Sequence, residues 1–219
     1  MIRLANEKDL DAICRVHSNS FPHSFSTQMH KYQHILGGGN LLSVFYGYYL
    51  QDAPELFYVA CDEKENIIGF CMGYYMDKAT QKQRFFTDNK LRLLRKIMLL
   101  LLTGNRQTWK KLLKQIKYKF TNTDSKLVCT KYNNVLNDKR GDLLSVCVLP
   151  EFRGMGYAQE LIEMFLTAVR NNNRTLCFLH VETKNGRARS YYERNGFEIY
   201  RIHGDSITYV KLLNELANK

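Results

Sequence analysis

The chain has 219 residues, 45% of them hydrophobic and 24% charged, a make-up that allows one domain with a full core and excludes a disordered or fibrous protein. Its net charge of +11 is localised: residues 77–140 hold 17 Lys and Arg against 4 Asp and Glu, a local +13, and the remainder holds 15 against 17, or −2. One basic segment on a slightly acidic remainder, with no recognisable reading module, argues against nucleic acid as a partner.

Met1-Ile2-Arg3-Leu4 reads as a short strand. The polar run Asn6-Glu7-Lys8-Asp9 follows it where a signal peptide would place its apolar core, so the expected location is the cytoplasm. Asn6 can cap a helix with Glu7 and Asp9 in its first turn and Leu10, Ile13 and His17 along one face, ending near Ser18 to Phe21 before Pro22. Residues 24–50 are interrupted by Gly37-Gly38-Gly39, which predicts one helix before the glycines and an aromatic-rich one after them. Leu56 to Cys61 and Ile67 to Met76 are apolar runs joined by a charged connection, the pattern of an antiparallel hairpin.

Within the basic segment, Leu91 to Leu102 and Arg106 to Phe120 read as two helices. The apolar run 97–102 is far short of the roughly 20 residues that a bilayer span needs. Three roles stay open for the segment: peripheral contact with an anionic membrane surface through residues 91–120, attraction of an acidic substrate to a covered acceptor site, and plain packing with solvated charges. Leu143 to Leu149 is a strand, and a helix from about Gly156 to Arg170 follows with Ala158, Leu161, Ile162, Phe165, Leu166 and Val169 at helical spacing. Leu176 to Val181 reads as a buried strand, Gly186 to Arg194 as a helix, and Phe197 to Ile202 with Ser206 to Leu212 as a strand pair turned at His203-Gly204-Asp205.

The six cysteines form no C-x-x-C pair and mostly lie in apolar runs, which predicts buried thiols rather than a disulfide framework or a zinc site. His30 and His34 are four apart but lack a third ligand, so they read as a surface pair and no metal is expected.

The chemical signal lies after the strand that ends at Pro150. A helix that begins on small residues points unpaired N–H groups outward, with the positive end of its dipole behind them. Gly154, Gly156 and Ala158 clear side chains from such a start, and Arg153 adds a cation at its edge. Arg153, Gly156 and Ala158, with Gly154, match the acyl-CoA signature Arg or Gln-x-x-Gly-x-Gly or Ala. Asn185, Ala188, Tyr192, Gly196 and Phe197 match a second pattern, N-x-x-A-x-x-x-Y-x-x-x-G-F.

With both patterns in order, the sequence resembles the GNAT superfamily of acetyl-CoA-dependent N-acetyltransferases. The likeness is sharp from Leu143 to Ile202, looser from Met1 to Met76 and absent from 77–140. It implies an α/β (α+β) fold: a central mixed, mostly antiparallel sheet of about six to seven strands flanked by helices. The chain would then be a single domain, 1–219, with 77–140 as a basic helical insertion between strands three and four. It also implies acetyl-CoA as co-substrate, its diphosphate on the amides of Arg153, Gly154, Met155, Gly156, Tyr157 and Ala158. The pantetheine arm would lie beside Val146, Cys147 and Val148 and contact Asn185.

By the same resemblance Tyr192 sits next to the CoA sulfur, where a phenol can protonate the departing thiolate. An ammonium acceptor must lose a proton before it attacks. His180 is the candidate base, since related N-terminal acetyltransferases carry a glutamate in that register. The alternative is a histidine hydrogen-bonded within the sheet, with Glu182, acceptor-side residues of the N-terminal half or a water chain as base. The acceptor expected is a primary amine of a small molecule, an amino sugar or nucleotide-linked amino sugar among the candidates, attacked directly in a ternary complex. A protein or peptide N-acetyltransferase, and a non-catalytic acyl-CoA-binding module at a membrane surface, are the competing readings. A monomer and a homodimer are equally compatible with the sequence.

Overall fold

A strand that is apolar at every position needs cover on both sides, and β2 (Phe57–Cys61) is buried throughout. Phe57 and Val59 pack with Ile13, Cys14 and Val16 of α1 (Leu10–Ser20) and with Leu42, Tyr46 and Tyr49 of α2 (Leu41–Asp52). Tyr58 and Ala60 pack on the other side with Leu161, Ile162, Phe165, Leu166 and Val169 of α5 (Tyr157–Asn171). Helices therefore sandwich one sheet. The computed structural model describes residues 1–22, 27, 40–102, 109, 125–129, 132 and 139–213. His30 and His34, the helix expected before the triple glycine and, apart from Trp109, the helix expected over 106–120 lie outside the described residues.

The sheet has eight strands in the order β1-β2-β3-β5-β6-β8-β7-β4. Besides β1 (Ile2–Leu4) and β2 these are β3 (Ile67–Tyr75), β4 (Ser125–Leu127), β5 (Arg140–Val148), β6 (Leu176–Glu182), β7 (Glu198–His203) and β8 (Ser206–Leu212). Every neighbouring pair is antiparallel except β5 and β6, which are parallel and are joined by the crossover helix α5. The eighth strand, β4, was not expected: it belongs to the basic segment and pairs with β7 at the sheet edge. A three-residue edge strand between polar flanks leaves no periodicity to read. The same segment supplies α3 (Gln81–Asp88) and α4 (Lys90–Leu102). Leu93 anchors α4 against Leu41 and Phe85. Among the described residues no helix is long and apolar enough to cross a membrane.

Two irregularities shape the middle of the sheet. Met72 of β3 pairs with Ser145 and the next residue, Gly73, pairs with Leu143, so Leu144 is an extra residue in β5, a β-bulge. The ladder between β5 and β6 runs from Arg140 opposite Leu176 to Leu143 opposite Leu179 and stops there. Beyond that point the two strands diverge. Gly73 is required beside the bulge, because a Cβ there would collide with the Asp142 carbonyl oxygen and the Phe165 ring. We therefore expect Gly73→Ala to cost about 2–3 kcal/mol by overpacking. Gly186→Ala, where a Cβ meets nothing within 4 Å, should stay within about 0.5 kcal/mol of wild type, both read from denaturant midpoints.

Candidate active site

The gap between the diverging strands is a cavity of about 520 Å³. Phe21 and Pro22 at the end of α1, Leu144, Ser145 and Val146 of β5, His180 and Glu182 of β6, and Asn185, Ala188 and Tyr192 line it. The last three belong to α6 (Gly186–Arg194) and its cap.

Backbone alternation decides what β5 offers. Leu149 N–H donates to the Ile68 carbonyl of β3, so two residues earlier Cys147 also turns its backbone toward β3. Val146 and Val148 turn theirs to the gap. The Arg153 guanidinium donates through Nε to the Val148 carbonyl at 3.1 Å, which holds the turn after β5 against the strand end. Val146 keeps its N–H and C=O toward the cavity. Cys147 departs from the expectation: its thiol is buried with α1 and α2, and burial pushes it up to about 12. It can therefore flank a bound arm only from behind.

After the strand, Gly154 and Gly156 adopt φ of +87° and +89°, and a Cβ at Gly154 would meet nothing within 4 Å. Gly156 is the helix cap and supplies no side chain to the first turn. The first helical bond runs from Glu160 N–H to Gly156 C=O, so Tyr157, Ala158 and Gln159 have amides without an intrahelical acceptor. Met155 is exposed and Tyr157 packs on Phe152 at 6.3 Å between ring centroids. This is an open cradle of backbone donors with Arg153 at its rim, and it suits a diphosphate.

Asn185 caps α6 by accepting from Ala188 N–H at 3.1 Å, which commits its carbonyl oxygen and leaves its amide N–H₂ as a donor. The Tyr191 hydroxyl donates to Gln159 at 2.7 Å and ties α6 to α5. The neighbouring Tyr192 is 8% exposed, against the Phe197 ring at 5.5 Å and the Tyr191 ring at 5.4 Å. Burial holds its phenol well above the ordinary value, so it is a proton donor throughout the neutral range.

His180 enters from the opposite face. Its neighbours Leu179 and Val181 belong to the cluster on the α5 side together with Tyr192, so alternation turns the imidazole toward the α1/α2 side. Thr208, directly opposite in β8, holds Nδ1 through its hydroxyl at 3.0 Å, and Nε2 remains for the cavity. The expected sheet hydrogen bond and a role as base are thus compatible. The surrounding protein pushes this imidazole below its ordinary value, Asp142 opposes that, and Arg140 reinforces it. At neutral pH the ring is therefore largely uncharged, as a base must be. Glu182, the alternative base, is exposed and pairs with Lys184 at 3.2 Å.

Three features of the site leave little or no mark in the sequence. Asp142 is 1% exposed and takes a bidentate contact from Arg140 at 2.5 and 2.6 Å, while the Arg140 guanidinium lies over the Phe178 ring at 4.0 Å. The i, i+2 spacing of Arg140 and Asp142 on one strand face was the available signal. The bulge at Leu144 has no local signature, and the closure of the cavity by Phe21 and Pro22 is a tertiary contact.

A helix start open to an anion, unpaired strand backbone leading to a gap, and a buried phenol across from an imidazole suit an acyl-CoA-dependent N-acyltransferase. Residues 125–197, about a third of the chain, match the sequence model of the Acetyltransferase (GNAT) family, which supports an acetyltransferase with acetyl-CoA as its co-substrate.

Solved structures of similar fold include SsHAT, at 19% identity over 98% of this chain and 98% of that one with a TM-score of 0.62. Another is the PaiA N-acetyltransferase of Thermoplasma acidophilum in complex with coenzyme A, at 13% identity over 97% and 98% with a TM-score of 0.53. The NatC complex bound to Gag peptide and CoA is similar at 17% identity over 97% of each chain, with a TM-score of 0.52. No sequence match was found among curated proteins.

Because Gly156 caps α5 in the left-handed region, we expect Gly156→Val to weaken coenzyme A binding about tenfold, through backbone strain and a narrowed approach to the amides. Titration calorimetry with coenzyme A would measure it.

Proposed function

We propose that this acetyltransferase moves the acetyl group of acetyl-CoA directly to a primary amine of a small molecule in a ternary complex. The observation that carries the reading is the placement of His180 and Tyr192 on opposite faces of the sheet at one gap, so that acceptor and donor can meet through it. A cavity of about 520 Å³ is in the range of small-ligand sites.

Acetyl-CoA supplies an acetyl group activated by a sulfur leaving group. Its diphosphate would rest on the amides from Gly154 to Ala158 with the Arg153 side chain at the rim, since the Arg153 N–H donates to the Pro150 carbonyl at 3.3 Å, and its pantetheine arm would meet the Val146 backbone and the Asn185 amide. His180 Nε2 takes a proton from the acceptor ammonium. The Val146 N–H faces the developing charge on the thioester oxygen. The freed amine forms its bond to the thioester carbon; as the C–S bond breaks, Tyr192 gives its proton to the departing thiolate, whose conjugate thiol has a pKa of roughly 8.5, and the second proton lost by the nitrogen restores the phenol.

Tyr192→Phe should lower kcat about 100-fold with little change in KM. Thiol release by Tyr192→Phe equal to wild type and independent of acceptor would remove the catalytic assignment. For His180 the sign follows from its lowered pKa: the base form is lost as pH falls through a value below about 6.5, so kcat/KM should drop on the acid side. His180→Gln should abolish that limb and lose activity at neutral pH, with partial recovery at alkaline pH where the amine deprotonates unaided. An unchanged pH profile would exclude His180 as the base.

The acceptor panel to screen begins with amino sugars and nucleotide-linked amino sugars, followed by polyamines. A second reading, transfer to a peptide N-terminus, is favoured by the likeness to a complex solved with a peptide. Turnover of peptides without turnover of any small amine would establish it instead.

A further inference from the structure

Helix α4 packs Leu93 inward yet also carries a row of large apolar side chains on its outer side. Lys96 is 2% exposed, whereas Leu91, Leu94, Met98 and Leu102 are 81%, 53%, 62% and 78% exposed. At 3.6 residues per turn these four fall within about 80° of the helix circumference and form one outward stripe. Arg95 and Arg92 continue the exposed surface on one side of the stripe and Lys90 on the other. None of these residues lines the acetyl-transfer cavity.

We infer that this face of α4 docks on an anionic lipid surface. Four large apolar side chains rimmed by cations meet the demands of such an interface: the apolar groups enter the acyl boundary and the long basic side chains reach the headgroups. At 13 residues the helix is about 20 Å long, too short to cross the hydrocarbon core, and so lies along the surface. The charge distribution selects the occupant. The segment carries 17 Lys and Arg against 4 Asp and Glu, so a second copy of the chain would bring the same positive field to this face, whereas an acidic bilayer complements it. Nucleic acid matches the charge but leaves the central apolar stripe unpaired.

The test is vesicle flotation of the intact protein with phosphatidylcholine alone and with about one-third phosphatidylserine. Wild type should float with the anionic vesicles and not with the neutral ones, and added salt should release it. Leu94→Glu/Met98→Glu should reduce binding at least tenfold. Lys90→Gln/Arg95→Gln should reduce it roughly twentyfold or more, at about fivefold for each charge near the surface. Both pairs are exposed, so each variant should keep the wild-type melting midpoint and coenzyme A affinity, which separates this result from damage to the fold or to the donor site. Failure of wild type to float on anionic vesicles, or equal flotation of the glutamate variant, overturns the assignment. A concentration-dependent dimer in sedimentation velocity that Leu94→Glu/Met98→Glu dissolves would also overturn it and make the face a contact between copies.

Discussion

Parallel pairing of β5 with β6 lasts for four residue pairs and then ends, and the cavity between them exists because it ends. A ladder that continued would have consumed the N–H and C=O of Val146 and closed the space between Ser145 and His180. The divergence has a local origin in the extra residue at Leu144, since a bulge bends and twists its strand and reverses the in–out phase of the residues beyond it. Leu143 before the bulge and Val148 after it both belong to the α5-side cluster although five positions separate them. The same phase change puts Ser145 and Cys147 on the α1/α2 side.

An open gap in a sheet is costly unless the strands beside it are held from elsewhere. On the β5 side the hold is the long antiparallel ladder with β3, with Gly73 admitting the Phe165 ring against the strand. On the β6 side it is the unbroken seven-pair ladder with β8, which also brings Thr208 to His180. At the base of the gap the buried Asp142 carboxylate would be expensive without Arg140, whose guanidinium is in turn stacked on Phe178 of the neighbouring strand. That stacking ties β5 to β6 within the four pairs over which they run together. The same ion pair sets part of the electrostatic surroundings of His180, with Asp142 and Arg140 acting in opposite directions.

The glycine-rich turn before α5 and the cap of α6 were legible in the sequence because their determinants are local. A glycine that must take positive φ, a helix start without a capping side chain, and an asparagine three residues before the amide it caps all leave marks within a few positions, as Gly156 and Asn185 do. The amphipathic α5 was readable for the same reason. Determinants that depend on distant chain segments were not: Thr208 as the partner of His180 needs the β6–β8 register, and Asp142 as its neighbour needs the β5–β6 pairing. The side to which Cys147 turns its thiol was not legible, since strand residues alternate and only a known bulge tells which parity faces the gap. Within the basic segment, periodicity located α4, whereas α3 and β4 are too short to impose one.

Both outermost strands of the sheet, β1 and β4, are three residues long. The long strands that carry the chemistry lie between them, and an approaching chain meets only a brief row of unpaired backbone at either border. Edges this short are poor templates for adding a foreign strand, which is one way that natural sheets resist fibrillar growth. For a sheet that must keep an unpaired gap at its centre, blunt borders direct any such templating away from its perimeter.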